Sequence, residues 1–236
     1  MSQTEISIVI PVYDEEAILH AAVVDLRERL RPLDWSYEIL LCENGSRDRT
    51  AGIAGELAQR YADVRTFSIE QPNYGMALRR GIAKAAGGIV ICDEIDLCDV
   101  DFHQRAVTML RGGEVDLVVG SKLIEGAADE RPWMRHAASQ LYNGLLRVTL
   151  GFRGTDTHGL KAFRKAAVGP IAEQCVVDRD VFASELVIRA YRADLRVREI
   201  PIRLMEKRPP SINLVRRVPG VLRNLGRLAW AIYVQR

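Results

Sequence analysis

The stretch EISIVIPVYDEE, residues 5–16, joins a run of β-branched residues directly to a cluster of carboxylates. Such apolar runs are typical of strands buried on both faces of a parallel sheet. Similar runs recur along the first half of the chain: YEILLC (37–42), VRTFSI (64–69), GIVIC (88–92) and DLVVGS (116–121). The sequence therefore predicts at least five short buried strands.

Segments with helical spacing separate these strands. Apolar residues recur every three or four positions over 15–30, 49–61 and 76–86. Strands that alternate with helices of this length predict an α/β fold with a mostly parallel central sheet flanked by helices. Residues 133–150 and 181–192 predict further helices, and 195–204 alternates as an edge strand does. We expect one domain over 1–205.

The C-terminal segment differs in charge from the rest of the chain. Residues 201–236 carry eight Lys or Arg and one Glu, which is +7, whereas the whole chain carries only +2. Over 213–234 apolar residues form one helical stripe, and Arg216, Arg223 and Arg227 share another face. We expect 206–236 to form a basic amphipathic helix. Its stripe is expected either to lie at a membrane surface, with the arginines on anionic lipid, or to pack against the domain itself.

Several classes of protein are disfavoured by the sequence. An apolar content of 48% and a charged content of 27% are ordinary for a globular domain. Four cysteines without C-x-x-C spacing indicate reduced thiols, and no signal peptide or spanning segment is evident, so we expect a cytoplasmic location. No P-loop and no dinucleotide fingerprint follows the first strand, and no nucleic-acid-binding module is recognised.

Three polar clusters fall where predicted strands end. They are 11–16, 43–48 and 93–101, and in open parallel sheets ligands bind at such carboxyl ends. The third cluster, DEIDLCD (93–99), holds four carboxylates that would repel one another in a cleft. Mg²⁺ or Mn²⁺ offsets such repulsion when ligand phosphates complete its shell. The alternative is a solvated acidic turn that caps the next helix.

Motif order adds a resemblance to this pattern. IVIPVYDEE, ENGSRDRT, NYGMALRRGIAKAAGG and DEID occur in sequence. The chain resembles the family 2 glycosyltransferases, which implies the nucleotide-sugar-binding GT-A fold. Further on, GSKLIEG, ERPWMRHAAS, DTHGLKAFRK, SELVIRA and VREIPIR resemble the branch that transfers sugars to polyprenyl phosphates, which includes dolichyl-phosphate mannose and glucose synthases. The resemblance covers about residues 5–205.

The resemblance implies roles for individual residues. The nucleotide base and ribose would be lined by Pro11, Tyr13, Glu15 and Glu43. The donor's nucleotide would also lie near the turn Asn73–Gly75 and Arg79. The metal on the donor diphosphate would be held by Glu94 and Asp96, with Asp93 as a neighbouring candidate. The acceptor phosphate would be received by Lys122, Arg135 and Ser139, and the active site would be bordered by Asp156 and Lys161.

Structural alternatives stand beside several of these roles. Arg135 and Ser139 lie four residues apart, as an ordinary surface pair on a helix does. Lys161 is alternatively a solvated loop lysine, and Tyr13 a packing residue at a strand end. His158 is a lone loop histidine for which a catalytic role is disfavoured.

The function that the resemblance implies is inverting transfer of a hexose, mannose or glucose, from a GDP- or UDP-sugar to a polyprenyl phosphate. The chain would act peripherally on the cytoplasmic membrane face, with room for a membrane-embedded partner protein. Two departures from the family pattern keep rivals open: ENGS replaces the usual D-D-G-S, and Glu94-Ile95-Asp96 is displaced against Asp93. The rivals are a family 2 transferase with a soluble or saccharide acceptor, and a degenerate nucleotide-binding relative without catalysis.

Overall fold

A computed structural model of the protein describes residues 4–129, 133–177, 181–204 and 214–234, apart from some side chains within 128–138, 203–204 and 214–222. Its strands are β1 (Ile6–Val12), β2 (Tyr37–Glu43), β3 (Val64–Ser68), β4 (Ile89–Cys92), β5 (Leu117–Ser121), β6 (Ala128–Asp129), β7 (Lys161–Arg164), β8 (Val197–Pro201) and β9 (Arg203–Leu204). Seven of them form the central sheet in the order β3-β2-β1-β4-β7-β5-β8, while β6 pairs with β9.

Helices cover both faces of the sheet. They are α1 (Leu19–Leu30), α2 (Thr50–Arg60), α3 (Tyr74–Lys84), α4 (Val100–Arg111), α5 (Trp133–Leu150), α6 (Lys165–Gln174), α7 (Phe182–Arg192) and α8 (Leu214–Tyr233). Successive residues of β1 face opposite sides: Ile8 and Ile10 pack with α1, α2 and α4, and Val9 packs in the core that contains α3 and α5–α8. The α/β fold with a mostly parallel sheet is thus confirmed.

Three elements were not predicted, and one of them is the two-residue strand β6. Strand β7 runs antiparallel between β4 and β5, and α6 follows it directly. The strand has only four residues and carries Lys161 and Arg164 at its ends, so it shows no apolar run of the kind that identified the parallel strands. The predicted edge strand is β8, at one end of the sheet.

The C-terminal helix α8 lies against the domain over the part whose side chains are described. Leu225, Leu228 and Ile232 of its apolar stripe are buried in the core beside α5 and α7. The Tyr233 hydroxyl donates to the Thr149 carbonyl of α5 at 2.9 Å. This half of the stripe follows the second of the two expected alternatives, and Leu214, Val218 and Val221 lie outside the described side chains. Across the described residues, no helix is long and apolar enough to cross a membrane.

Candidate active site

The polar clusters predicted from the sequence meet at one edge of the sheet. Strands β2, β1 and β4 are parallel neighbours, with Val12 beside Glu43 and Val9 beside Cys92. Their carboxyl ends therefore lie side by side. Because β7 is antiparallel, its first residue, Lys161, also lies at this edge, paired with Cys92 and Val119.

On one side of the edge, the loop after β1 is fastened to the loop after β2. The Asp14 N–H donates to the Ser46 hydroxyl at 3.1 Å, and the Arg47 N–H donates to the Asp14 carboxylate at 2.8 Å. The Glu15 N–H donates to the Thr50 hydroxyl at 2.7 Å. Asp14 takes a left-handed backbone conformation (φ 51°), which Asp tolerates better than most residues. We call these two loops the donor-side clasp, residues 13–16 and 44–50.

The two residues of the ENGS turn that depart from the family pattern, Glu43 and Asn44, form hydrogen bonds that hold the turn in place. Buried Glu43 accepts the Ser46 N–H at 2.6 Å and a short bond from the Ser68 hydroxyl. Burial raises the pKa of Glu43, but these bonds outweigh it, so the pKa lies below its ordinary value. The Asn44 side chain accepts the Asn73 N–H at 2.6 Å. Asn44 thereby ties the clasp to the start of α3.

Other predicted donor residues lie around the clasp. Pro11 is buried in β1, and Tyr13 and Glu15 are half-buried in the loop that follows. Asn73 caps α3 by accepting the Met76 N–H at 3.0 Å, and Gly75 is buried in the first turn of that helix. The Arg79 guanidinium donates to the Cys175 carbonyl at 2.7 Å, so one of its donors holds the loop after α6.

The acidic turn after β4 divides its carboxylates between two roles. Asp93 is 1% exposed, and one of its oxygens lies 2.6 Å from Nε2 of the buried His103 while the other accepts the Glu94 N–H. Glu94 is accessible to solvent and Asp96 is half-buried. Partial removal of Glu94 from water and its Asp96 and Asp93 neighbours raise its pKa to about 7. Asp93 is thus tied to α4, while Glu94 and Asp96 remain accessible.

The two accessible carboxylates fit a divalent cation that is held jointly by protein and ligand phosphates, rather than one held by protein side chains alone. Among the described residues, no three His, Cys, Asp or Glu side chains are grouped to hold a metal. Mg²⁺ and Mn²⁺ are commonly held by one or two carboxylates together with ligand phosphates. Removal from water is the main cause of the raised pKa of Glu94, and the Asp96 and Asp93 charges add to it; such a cation offsets that negative charge.

The opposite side of the edge consists of buried charges. The Lys122 ammonium lies 2.9 Å from the Asp156 carboxylate, and the two side chains are 6% and 1% exposed. Burial raises the pKa of Asp156, but the charge of Lys122 and the hydrogen bonds from the His158 N–H and Lys122 together outweigh it, so the pKa lies below its ordinary value. Lys161 is also buried, donates to the Gly159 carbonyl at 2.7 Å, and has its pKa lowered by burial. Lys161 is therefore no solvated loop lysine. We call Lys122, Asp156 and Lys161 the acceptor-side charges.

The loop that carries Asp156 lies directly on β5. A Cβ added to Gly159 would fall 1.6 Å from the Gly120 carbonyl oxygen, so only glycine permits this approach. His158 is exposed, and its ring contacts the Tyr142 ring edge-on at 5.2 Å. Ser139 is half-buried on α5, whereas the Arg135 side chain lies outside the described part of the structure.

Sequence reasoning missed one residue that shapes the site, His103, and gave no role of its own to another, Tyr74. His103, ten positions after Asp93, was not predicted as its partner; it lies on the buried face of α4, whose apolar periodicity was the available signal. Tyr74, the first residue of α3, lies near Glu94: burial and then the Glu94 charge raise its pKa well above the ordinary value. Nothing in the spacing of NYG set Tyr74 apart from its neighbours.

An open α/β sheet with an acidic turn and a basic pocket at its carboxyl edge is the architecture of nucleotide-sugar transferases of the GT-A type. The family model for glycosyl transferase family 2 matches residues 7–171, and the chain belongs to this family. In fold it resembles the crystal structure of glucosyl-3-phosphoglycerate synthase from Mycobacterium tuberculosis in complex with Mn²⁺, UDP and phosphoglyceric acid. The TM-score is 0.67 at 20% identity, over 97% of this chain and 79% of that one.

Two curated relatives confirm the resemblance to the polyprenyl-phosphate branch. Glycosyltransferase AglD of Haloferax volcanii is 30% identical over 98% of this chain and 38% of its own length. Dolichyl-phosphate beta-glucosyltransferase ALG5D of Trichomonas vaginalis is 27% identical over 85% of this chain and 65% of its own length. The chain thus spans between about a third and two thirds of these relatives.

Proposed function

We propose that this protein transfers a hexose from a nucleotide sugar to a polyprenyl phosphate, with inversion at the anomeric carbon. The observation that carries the proposal is that carboxylates and ammonium groups lie near one another at this edge of the sheet. Glu94 lies close enough to Lys161 and Lys122 for their charges to oppose the rise in its pKa. Carboxylates suited to a metal-bound diphosphate, Glu94 and Asp96, thus lie near ammonium groups suited to a second anion, those of Lys122 and Lys161.

The carboxylates and the ammonium groups would have different chemical roles. Glu94 and Asp96 would hold Mg²⁺ or Mn²⁺, which stabilises the charge that develops on the departing diphosphate. Asp93 is proposed to orient this turn through His103, as a neighbour of the metal ligands. The donor's base and ribose would lie along Pro11, Tyr13, Glu15 and Glu43, beside Asn73, Gly75 and Arg79.

The acceptor needs positioning more than activation. A phosphate monoester is already an anionic nucleophile, so no general base is required, in contrast to a hydroxyl acceptor. Lys122, with Arg135 and Ser139 on α5, would receive the phosphate, and Asp156 would hold Lys122 in place. Lys161, the acceptor-side lysine whose pKa is influenced by Glu94 as well as by Asp156, would stabilise negative charge as the bond to the leaving group lengthens.

The acceptor's lipid chain implies a membrane surface, and we propose that the outer faces of α8 and α5 meet it. Arg223 and Arg227 are exposed on α8, and Trp230 is 53% exposed one turn further on. On α5, Leu141 and Val148 share one face and are 75% and 87% exposed. Arginines suit anionic headgroups, and Trp with exposed apolar side chains suits the interface below them. The chain would thus act peripherally, alone or beside a membrane-embedded partner.

The test is transfer from radiolabelled GDP- and UDP-hexoses to a polyprenyl phosphate in detergent, with Mn²⁺, Mg²⁺ or EDTA. Transfer that requires metal and one nucleotide supports the proposal, and NMR of the product reports the anomeric configuration. 3-Phosphoglycerate and a simple saccharide serve as soluble acceptors, because transfer to them instead would favour the first rival. Nucleotide binding without transfer to any acceptor would favour the degenerate relative.

A further inference from the structure

Glu199, on the edge strand β8, is bonded to the turn that carries Asp156. Its carboxylate accepts the Thr155 N–H and the Thr155 hydroxyl, both at 2.7 Å, and more weakly the Asp156 N–H at 3.4 Å. A Cβ added to Gly154 would fall 2.5 Å from the same carboxylate. The turn is therefore fitted closely around Glu199, which lies in the motif VREIPIR but for which no role was predicted.

The bonds continue from Glu199 to the segment on either side of Lys122. An ionised carboxylate only accepts, so the Thr155 hydroxyl donates its single proton to Glu199. Ser121 must then donate to Thr155, at 2.7 Å, and the Ser121 oxygen accepts the Leu123 N–H at 3.2 Å. Three bonds in one direction, from Leu123 through Ser121 and Thr155, therefore end on Glu199, and bonds in such a chain strengthen one another.

These bonds are made by residues that flank the buried ion pair of Lys122 and Asp156 in the sequence. Ser121 and Leu123 are the immediate neighbours of Lys122, and Thr155 is the immediate neighbour of Asp156. A lysine ammonium is a point charge on a flexible stem, so its position depends on the groups that hold it. Glu199 holds both segments through Thr155 and the Asp156 backbone N–H, and none of its described bonds goes to the Lys122 or Asp156 side chain.

We propose that Glu199 is a positioning residue for the acceptor phosphate, acting through Thr155 and Ser121 on the Lys122–Asp156 pair. The inference rests on the proposed function, in which Lys122 receives that phosphate. Its effect is specific to the acceptor, because no bond that the structure describes links this chain of residues to the donor-side clasp. Loss of Glu199 should therefore raise the KM for polyprenyl phosphate and leave the KM for the nucleotide sugar unchanged.

Four variants test the chain of bonds. Glu199→Ala removes the anchor, and Thr155→Val removes only the hydroxyl that links Ser121 to it. Each should raise the acceptor KM by roughly tenfold, the size expected for loss of one hydrogen bond to a charged group. The double variant should be no worse than Glu199→Ala, because both changes break the same chain. Glu199→Gln should be milder, since its oxygen accepts the Thr155 N–H and its amide donates to the hydroxyl.

Glu38 offers a control with similar bonds. Its carboxylate also accepts one hydroxyl, from Ser7 at 2.6 Å, and one backbone N–H, from Ala86 at 2.7 Å, and in addition it pairs with the Arg65 guanidinium. It lies near the start of β2, at the opposite edge of the sheet from the site. Glu38→Ala should lower the thermal midpoint as Glu199→Ala does, while both KM values stay at the wild-type level.

A second readout does not depend on the acceptor. Lys122 in the whole protein should react slowly with an amine-selective reagent, and Glu199→Ala should speed this reaction while leaving exposed Lys84 unchanged, as measured by mass spectrometry. Unchanged labelling of Lys122, equal rises in both KM values, or additive effects in the double variant would overturn the inference. If the wild type transfers nothing to polyprenyl phosphate, the proposed function fails, and the labelling still decides whether Glu199 positions Lys122.

Discussion

The two sides of the cleft hold their polar residues by different means. In the donor-side clasp, exposed Asp14 and half-buried Asp48 accept backbone N–H groups from the opposite loop. On the acceptor side, Lys122 and Asp156 lie in the interior and pair with each other. An exposed side chain retains water as a substitute partner, whereas a buried charge that loses its partner is left uncompensated. Stability and function should therefore separate on the donor side and be lost together on the acceptor side.

The largest expected effect is a loss of function without a loss of stability. Asp96→Asn removes one of the two carboxylates accessible to a metal, and should lower transfer activity by on the order of a hundredfold or more. Because Asp96 is half-buried at the cleft, the urea midpoint should stay close to that of the wild type. A thermal shift by UDP or GDP that remains dependent on Mn²⁺ in this variant would count against Asp96 as a ligand.

The matching change on the acceptor side should affect both properties. Asp156→Asn leaves the Lys122 ammonium buried without its carboxylate, and should lower the free energy of unfolding by about 3 kcal/mol. Adding Lys122→Met should restore most of that stability but none of the activity. Asp14→Asn, which keeps an acceptor in the exposed clasp, should change stability by less than about 0.5 kcal/mol. Equal losses in Asp14→Asn and Asp156→Asn, by urea unfolding, would break the comparison.

His103→Leu tests a buried pair on the donor side of the sheet. It leaves an oxygen of buried Asp93 without its partner, which should cost about 2 kcal/mol in urea unfolding. Because Asp93 precedes Glu94, the variant should also weaken metal-dependent nucleotide binding. His20→Leu, an exposed site on α1, is the control and should do neither.

A smaller effect is expected from pH at the sheet edge opposite the site. There, hydrogen bonds from Arg196, then Arg164, outweigh burial and hold the pKa of Asp116 well below its ordinary value. A folded pKa below the unfolded pKa stabilises the protein above about pH 4, and this stability is lost as the pH falls further. Asp116→Asn should therefore be less stable than the wild type by ~1 kcal/mol at pH 6, given the half-exposed arginines. The difference in urea midpoint between the wild type and Asp116→Asn should become smaller at pH 3. A difference that stays constant would show that the charge of Asp116 is not its cause.

The smallest effect on the fold is expected at the outer face of α8. Arg223→Gln and Arg227→Gln should leave stability unchanged, but each should weaken binding to vesicles that contain anionic lipid by roughly fivefold. Neutral vesicles are the control. Sedimentation of the wild type equally with both vesicle types would contradict an electrostatic contact.

The sequence predicted the donor side better than the acceptor side, and the reason is physical. Apolar runs that end in carboxylates identify parallel strands and the edge where they meet, so β1, β2 and β4 and their clusters were found within a few residues. Strand β7 could not be found in this way, because a buried Lys161 interrupts its apolar pattern and its neighbours β4 and β5 come from distant parts of the chain. Family resemblance indicated Lys161 and Asp156; only the fold revealed their burial, and the partnership of Asp93 with His103.

The position of β7 also bears on the order in which the sheet is assembled. Strands β1 to β4 complete their half of the sheet with residues 6–92 alone, since each pairs with another member of that set. Strand β5 is next in the chain to join the central sheet, but it has no place beside β4 until β7 has been synthesised and inserted between them. The order of synthesis and the order of strand pairing therefore differ between β4 and β5, and contacts between residues distant in sequence form slowly. Lys161, which completes the cleft, thus joins the sheet together with β7, the strand that is inserted between β4 and β5.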